Sequence, residues 1–179
     1  VARCFYASEQ LRADRKRYPA VNPIDSYSKY LEYPEFEKYV SERISSDWLD
    51  MVNEAKKRLH QGKEIAEQIN ILGDDGVPVE YHTTYWKSEL IDFVILQQDA
   101  FDEIDRNCPL ERQEYMLKLV MDICRRDFSF EDFNEVMHFF RELINQLKQM
   151  NFSEFNGSES NGYLERVRKM VEEKTTSDK

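Results

Sequence analysis

The chain has 179 residues, enough for one ordinary domain that buries a sizeable apolar core. Its formal net charge of -10 argues against a nucleic-acid partner, because phosphate binding needs Lys and Arg clustered on one face. No stretch reaches the roughly 18 to 20 consecutive apolar residues of a membrane span and no signal-peptide pattern is present, so we expect no direct membrane insertion.

The N-terminal residues follow an amphipathic pattern that predicts a helix already under way at the first residue, which suggests a piece of a longer protein. The basic run Arg12, Arg15, Lys16 and Arg17 fits the solvated end of that helix, where cations complement the helix dipole. Three prolines between 18 and 34 exclude a continuous helix and favour extended backbone before each proline. We interpret this stretch as an ordered crossing between two structural units.

The rest of the sequence is typical of helices, with only five Gly and five Pro in the whole chain. A helix about 40 Å long is predicted from a Ser46 cap to residue 72, with Gly73 as its stop. Its expected inward positions are Trp48, Val52, Ala55, Leu59, Ala66 and Ile69. A shorter helix is predicted over 85–97, and its expected inward positions are Leu90, Phe93 and Val94.

Three further helices complete the predicted all-α helical bundle. One is predicted over 109–127, opened by a proline that needs no amide hydrogen there; its inward positions are Leu110, Leu117, Val120, Met121 and Cys124. The next follows a Ser129 cap, has Asp132 in its first turn, and places apolar side chains on one face at Phe130, Phe133, Met137, Phe140, Ile144 and Leu147. The last covers 159–174, with Leu164, Val167 and Val171 inward.

Motifs of common catalytic and metal sites are missing from this sequence. None of the five glycines lies in the context of a phosphate-binding loop, and the three histidines lack the paired spacing of zinc ligands. The cysteines, Cys4, Cys108 and Cys124, are odd in number and far apart, which argues against a disulfide framework and fits a reducing cytoplasm. We therefore predict no catalytic residue and no metal ligand, with Cys124 in the core.

Several short runs carry a resemblance to a known family. Residues 15–22 read Arg-Lys-Arg-Tyr-Pro-Ala-Val-Asn, and residues 26–30 read Ser-Tyr-Ser-Lys-Tyr. With Ile-Asn-Ile-Leu-Gly at 69–73 and Leu-Gln-Gln-Asp-Ala-Phe at 96–101, they resemble the catalytic A subunits of V/A-type ATPases, from the end of the nucleotide-binding domain into the C-terminal helical domain. The F-type β subunit has a similar proline-containing run but ends sooner, so the V/A-type subunit is the better match.

The resemblance implies site residues. In the family, an aromatic residue at the Tyr18 position stacks on the adenine of ATP, and a second aromatic near Phe101 closes the other side. Gln97 and Gln98 are then expected neighbours in the adenine pocket. The stacking is physically reasonable because a planar ring offers any base a π-face. The alternative is that both rings pack in the core.

The resemblance also implies an organisation and a location. Residues 1–33 would be the end of the nucleotide-binding domain and the proline-stiffened junction, and residues 34–179 the C-terminal helical bundle. The parent enzyme would couple ATP hydrolysis or synthesis to ion transport, in a cytoplasmic head peripheral to the membrane. Because the phosphate-binding loop and magnesium-binding groups of the family precede this segment, ATP or ADP with Mg²⁺ is expected in the full subunit. The isolated chain is expected to bind no cofactor and to show no activity.

The expected partners are the B subunit and the central-stalk rotor subunits of a V-type ATPase. The loop after Gly73, with Asp74, Asp75 and Glu80, resembles the rotor-facing acidic loop of the family. A solvated turn without a partner is the alternative for these carboxylates. For the chain as a whole, the alternative is a free-standing acidic helical module that binds another helical protein.

Overall fold

The computed structural model describes residues 4–14 and 17–176. Within these residues the chain forms eight α-helices and one two-stranded sheet, which confirms the predicted all-α class. In chain order the elements are β1 (Cys4–Phe5), α1 (Gln10–Asp14), β2 (Tyr27–Ser28), α2 (Pro34–Arg43), α3 (Trp48–Leu72), α4 (Val79–Ile91), α5 (Glu103–Arg106), α6 (Leu110–Arg125), α7 (Phe133–Phe152) and α8 (Ser158–Lys174). No helix in the described ranges is both long and apolar enough to cross a membrane.

The N-terminal segment differs from the predicted amphipathic helix, whose first three residues lie outside the described ranges. Instead, β1 pairs antiparallel with β2, placing Cys4 opposite Ser28 and Phe5 opposite Tyr27. The backbone amide of Asn22 extends this contact by donating to the Ala7 carbonyl over 2.7 Å. Strand pairing between β1 and β2 therefore overrides the local helical pattern, and of the described residues before β2 only the five of α1 are helical.

The proline-containing stretch forms no continuous helix, as predicted. The Tyr18–Pro19 peptide bond is cis, and the Asn22 side chain accepts hydrogen bonds from the amides of Ile24 and Asp25. A single 3-10 turn at Lys29–Glu32 precedes α2. The short helix α2 has Pro34 in its first turn, where the missing amide hydrogen costs no helical bond.

The long helix α3 ends where predicted and begins slightly later. Gly73 ends it with φ 78°, a conformation that suits glycine. The expected Ser46 cap is wrong, because Asp47 occupies the N-cap position and no side chain caps the helix. The buried positions are Met51, Ala55, Gly62 and Ile65, so Ala55 is the one predicted inward residue that is fully buried. The other predicted positions are half-buried, because that face lines clefts beside the N-terminal segment and α4.

Helices α3 and α4 form a tightly packed antiparallel hairpin. At Gly62 a Cβ atom would lie 1.8 Å from Ser88 Oγ and 2.4 Å from Ser88 Cβ, so hydrogen is the only side chain that fits. The helix predicted over 85–97 begins earlier, at Val79, and its α-helical part ends at Ile91. A π-helical turn, Asp92–Leu96, continues it, with Leu90 and Val94 in the core.

The core lies between α3, α4, α6, α7 and α8. The inward positions predicted for α6 are confirmed except Leu110, which is 44% exposed because it lies at the helix start. Cys124 is buried as predicted, and burial raises the pKa of its thiol to about 12. In α7 the predicted Ser129 cap is wrong: Asp132 is the N-cap, and its carboxylate accepts from the Glu135 amide over 2.8 Å.

Candidate functional site

All four residues predicted to surround a base line a single cleft. Tyr18, Gln97, Gln98 and Phe101 border a cavity of about 370 Å³ between the N-terminal segment, the loop after the π-helical turn, and the end of α7. The cleft is completed by Phe93, Asp99, Ala100, Asp105, Lys148, Asn151 and Phe152. Residues far apart in the chain therefore meet in a concave surface with aromatic, amide and charged groups.

The two aromatic rings are not packed in the core, so the alternative of core packing is wrong for both. Tyr18 is 55% exposed and Phe101 is 95% exposed. The backbone of Tyr18 is nevertheless fixed, since its carbonyl accepts a hydrogen bond from the Gln98 amide over 2.8 Å. This bond joins the N-terminal segment to the loop that carries Phe101.

Carboxylates hold the loop that presents Phe101. The Asp105 carboxylate accepts from the Asp99 amide over 2.6 Å, and the Asp99 side chain accepts from the Phe101 amide over 2.9 Å. Asp102 caps α5 by accepting from the amides of Ile104 and Asp105. Burial raises the pKa of Asp105, although the hydrogen bond from Asp99 works in the opposite direction. The loop backbone is thus tied down while the Phe101 ring stays free to meet a ligand.

The two glutamines have different surroundings. Gln98 is engaged twice, through its amide to Tyr18 and through its Nε2, which donates to the Asp105 carbonyl over 2.8 Å. Gln97 donates its backbone amide to the Asp92 carbonyl over 2.9 Å, which closes the π-helical turn. Within the described residues, its side-chain Oε1 is buried and accepts no hydrogen bond. Gln98 therefore holds the backbone of Tyr18 and Asp105 in place, whereas the side-chain oxygen of Gln97 has no hydrogen-bond donor among the described residues.

Cations flank the Phe93 ring at the back of the cleft. The guanidinium carbon of Arg17 lies 4.3 Å from the ring centroid, and Lys148 Nζ lies 5.8 Å from it. Both distances are within the range of cation–π attraction. The Asn151 side chain donates to the Val94 carbonyl over 2.9 Å, which secures the end of α7 against the π-helical turn.

A buried ion cluster anchors the N-terminal segment directly beside the cleft. Arg12 NH1 lies 2.5 Å from Asp92 Oδ1, and Arg17 contacts both Asp92 Oδ2 and Glu89, the latter at 2.7 Å. Burial works to lower the pKa of Arg17, but the hydrogen bond and charge of Glu89 outweigh it, so the pKa is raised. The prediction of a solvated basic run is wrong for Arg12, which is 6% exposed, and for Arg17.

The other two basic residues of that run, Arg15 and Lys16, lie outside the described ranges. The prediction failed for Arg12 and Arg17 because their partners lie 72 to 80 positions away, on α4 and the π-helical turn. Helical periodicity reports only local neighbours. The same limit explains why Lys148 and Phe152 were not predicted as cleft residues.

The second predicted site is a protruding end of the α3–α4 hairpin, which we call the acidic tip. Its exposed residues are Ile71, Leu72, Asp74, Asp75, Glu80 and Tyr81. Asp74 and Asp75 form a 3-10 turn with Gly76, and Ile71 is 81% exposed beside them. Large exposed apolar residues next to carboxylates are more typical of a protein-binding surface than of a purely solvated turn.

The acidic tip has a fixed base. His82 is buried and forms a 2.9 Å hydrogen bond through Nε2 with the Asp74 backbone carbonyl. Its ring stacks on Phe133 with the centroids 5.3 Å apart, which connects the tip to α7. Val77 is also buried under the turn. The tip is therefore held by its backbone and by His82, whose Nδ1 also lies 4.0 Å from Asp74 Oδ1, while the carboxylates of Asp75 and Glu80 remain exposed.

Comparisons with known proteins agree with this architecture. A family model described as the C-terminal domain of V and A type ATP synthase matches residues 37–135. A V-type ATP synthase alpha chain from Protochlamydia amoebophila is 34% identical over 175 residues, which are 98% of this chain and 29% of that relative. The V-type ATP synthase alpha chains of Chlamydia abortus and Chlamydia pneumoniae are also 34% identical, over 97% and 96% of the chain and 29% of each relative. The chain thus spans less than a third of the length of these curated relatives.

Proposed function

Because the chain belongs to the family of C-terminal domains of V and A type ATP synthases, we propose that it is part of the catalytic A subunit of such an enzyme. In this role it contributes the aromatic residues of the adenine pocket and couples ATP hydrolysis or synthesis to rotor rotation and ion transport. The matched relatives are chains of an ATP synthase, which favours this function over a free-standing interaction module.

We assign residues 1–33 to the end of the nucleotide-binding domain with its junction, and residues 34–179 to the helical bundle. Two observations support this division: the family match begins at residue 37, and α2 begins at Pro34. The partners would then be the B subunit and the central-stalk subunits, in a cytoplasmic head that is peripheral to the membrane.

The observation that carries the nucleotide role is the shared cleft of Tyr18 and Phe101. A planar base between two exposed rings gains stacking energy on both faces, and the tied backbone around each ring limits the ordering cost of binding. Among the described residues no group of three or more His, Cys, Asp and Glu side chains could hold a metal ion. The aromatic and amide groups that line the cleft match the base of ATP or ADP, and we assign no step to Mg²⁺ here.

We expect Tyr18→Ala and Phe101→Ala each to raise the KM for ATP about tenfold in the assembled ATPase, because one base-stacking contact is worth about 1–3 kcal/mol. The kcat should change little, since neither ring touches the phosphates in this assignment. Steady-state ATP hydrolysis over a range of ATP concentrations measures both parameters.

Tyr39→Ala is the matched control, because Tyr39 is an equally exposed aromatic on α2 that does not line the cleft. Its KM should equal that of the unmodified enzyme. Tyr18→Phe should also keep the KM, since the ring face is retained. An unchanged KM in both alanine variants would remove the adenine-pocket role.

We also propose that the acidic tip faces the rotor. Its exposed carboxylates complement a basic partner surface, and its exposed Ile71 and Leu72 supply apolar area for the contact. A rigid base matters for such a role, because force is transmitted only through a segment that does not yield. The hydrogen bond between His82 and the Asp74 carbonyl supplies that support.

Replacing Asp74, Asp75 and Glu80 together by Asn, Asn and Gln should weaken the coupling of ATP hydrolysis to ion pumping while leaving the KM for ATP unchanged. Fold stability should stay within about 0.5 kcal/mol because these side chains are exposed. The measurement is the ratio of ion transport to ATP hydrolysis in reconstituted membranes.

The control is the triple variant Glu35→Gln, Glu37→Gln and Glu42→Gln, which removes three exposed carboxylates from α2. It changes net charge by the same amount at a different surface. A coupling ratio that falls equally in both triple variants would argue against a specific rotor contact of the acidic tip.

A further inference from the structure

A second cavity, of about 410 Å³, lies between α3, α6 and the π-helical turn. Apolar side chains form most of its walls, and those from the two helices are Trp48, Val52, Ala55, Leu59, Met116 and Leu117. The adenine cleft has no lining residue from α3 or α6, and neither Tyr18 nor Phe101 lines the second cavity. The two are therefore different sites that share part of one wall.

The charges around this cavity balance. Within the described ranges, Lys56 and Asp105 are its only charged lining residues, and they have opposite signs. The Asp105 carboxylate already accepts from the Asp99 amide over 2.6 Å. Small-molecule sites in proteins commonly have volumes of about 300–1,000 Å³ and mostly apolar walls with a few polar groups. The second cavity has these features and offers no net charge to an ion, so its walls suit a neutral molecule.

One polar atom in the shared wall is unsatisfied. Gln97 lines the second cavity, and its Oε1 is buried without a hydrogen-bond donor among the described residues. The side-chain amides of Gln98 and Asn151 are already used, since they donate to the carbonyls of Asp105 and Val94. A buried acceptor without a donor is costly, and a ligand that brings a hydroxyl or N–H group relieves that cost.

We propose that the second cavity binds a neutral, mostly aromatic molecule with one hydroxyl or N–H group, which donates to Gln97 Oε1. The Trp48 ring and the Met116 thioether favour an aromatic ligand, because both interact well with ring systems. Binding at this site involves no nucleotide. It can therefore be tested separately from the proposed adenine role of Tyr18 and Phe101.

Two probes of nearly the same shape test the hydrogen bond. 2-Naphthol carries a hydroxyl donor, whereas 2-methoxynaphthalene has the same rings and no donor. Isothermal titration calorimetry on the assembled ATPase should show about tenfold tighter binding of 2-naphthol. Gln97→Met keeps the length of the side chain without its acceptor, and should bring the two dissociation constants within about twofold of each other. Equal binding of both probes to the unmodified enzyme, or a preference that survives in Gln97→Met, would overturn the proposal.

Filling the cavity tests the location. Ala55→Phe places a ring at a buried lining position and should raise the dissociation constant of 2-naphthol at least about tenfold. Val52→Phe makes a similar change at a half-buried lining position, and decides the question if the first variant does not fold. Ala66→Phe is the matched control on the same helix, because Ala66 does not line this cavity. Unchanged binding in the filled variants, or an equal loss in Ala66→Phe, would contradict this location.

Cys108 provides a local measure of occupancy, because it lines the cavity and is half-buried. Its alkylation by iodoacetamide, followed by peptide mass spectrometry, should slow about tenfold when 2-naphthol is present at ten times its dissociation constant. Cys4 is also half-buried but lies outside the lining, so its rate should not change. Tyr18→Ala should leave this protection intact. Loss of protection in Tyr18→Ala would place the probe in the adenine cleft and overturn the proposal, as would equal protection of both cysteines.

Discussion

Asp92→Ala is expected to lower the free energy of unfolding of the chain by about 3–5 kcal/mol, because it leaves two buried guanidinium groups without their shared carboxylate. Arg12 and Arg17 both bind Asp92, and all three side chains are largely removed from solvent. Glu89 remains for Arg17, but within residues 4–14 and 17–176 the Arg12 guanidinium keeps only a long contact with the Pro19 carbonyl at 3.5 Å. Urea unfolding followed by circular dichroism measures the loss.

The control for this prediction is Glu173→Ala, which removes an exposed pair with Lys169 at 3.9 Å on α8. Exposed pairs contribute about 0–1 kcal/mol, so its effect should be small. The Asp92 variant should also raise the KM for ATP in the assembled enzyme, since Arg17 directly precedes Tyr18. Equal stability losses in the two variants would show that burial of the ion cluster contributes nothing.

Gly62→Ala is expected to destabilise the chain by about 1–2 kcal/mol. Alanine is favoured over glycine inside a helix by roughly 0.5–1 kcal/mol, but forcing an extra methyl group into a packed contact costs about 1–3 kcal/mol. Here the new Cβ would lie 2.4 Å from the Cβ of Ser88, so α3 and α4 must move apart. Steric cost therefore exceeds helix propensity at this position.

Gly162→Ala makes the same chemical change but is expected to stabilise the chain. Gly162 lies inside α8, and its added Cβ would have no neighbour within 4 Å, so propensity alone should stabilise the chain by about 0.5–1 kcal/mol. A double-mutant cycle of Gly62→Ala with Ser88→Gly should recover most of the loss as coupling energy. Thermal unfolding of the unmodified chain, the three single variants and the double variant measures each change in stability. Stabilisation by Gly62→Ala would contradict the close helix contact.

Local sequence patterns predicted which segments are helical better than they predicted where each helix begins and ends. In α7, apolar residues at steps of three and four placed Phe140, Ile144 and Leu147 correctly in the core. The choice between Ser129 and Asp132 as its cap was not decidable locally, because both residue types cap helices well. Asp132 is the cap because the chain from Phe128 to Phe130 is drawn into an aromatic cluster instead of a helical turn.

The spacing of apolar residues also failed to predict burial in α3, a helix that packs on two sides. The face of α3 that includes Val52 and Leu59 was predicted as core, but it lines clefts beside the N-terminal segment and α4. Burial there depends on how segments far apart in sequence approach each other. Local pattern carries no information about that approach.

The candidate site was predicted through family resemblance, because composition and spacing alone marked no residue of the cleft. That resemblance covered Tyr18 and the loop with Gln97, Gln98 and Phe101, which the structure brings together. It did not reach Lys148, which comes from α7 about 50 positions later. The unsatisfied Gln97 oxygen also had no sequence signal, since an unpaired acceptor exists only in three dimensions.

The 25 residues of α3 extend for about 38 Å, and this length has a mechanical consequence. Its N-terminal part, near Trp48 and Val52, lines an apolar cavity shared with Gln97 and Gln98, and its other end supports the acidic tip. The contact at Gly62 lies between them and can serve as a fulcrum. A rigid helix tilting about such a point moves its ends in opposite directions, by about 0.7 Å of relative displacement for each degree over its full length.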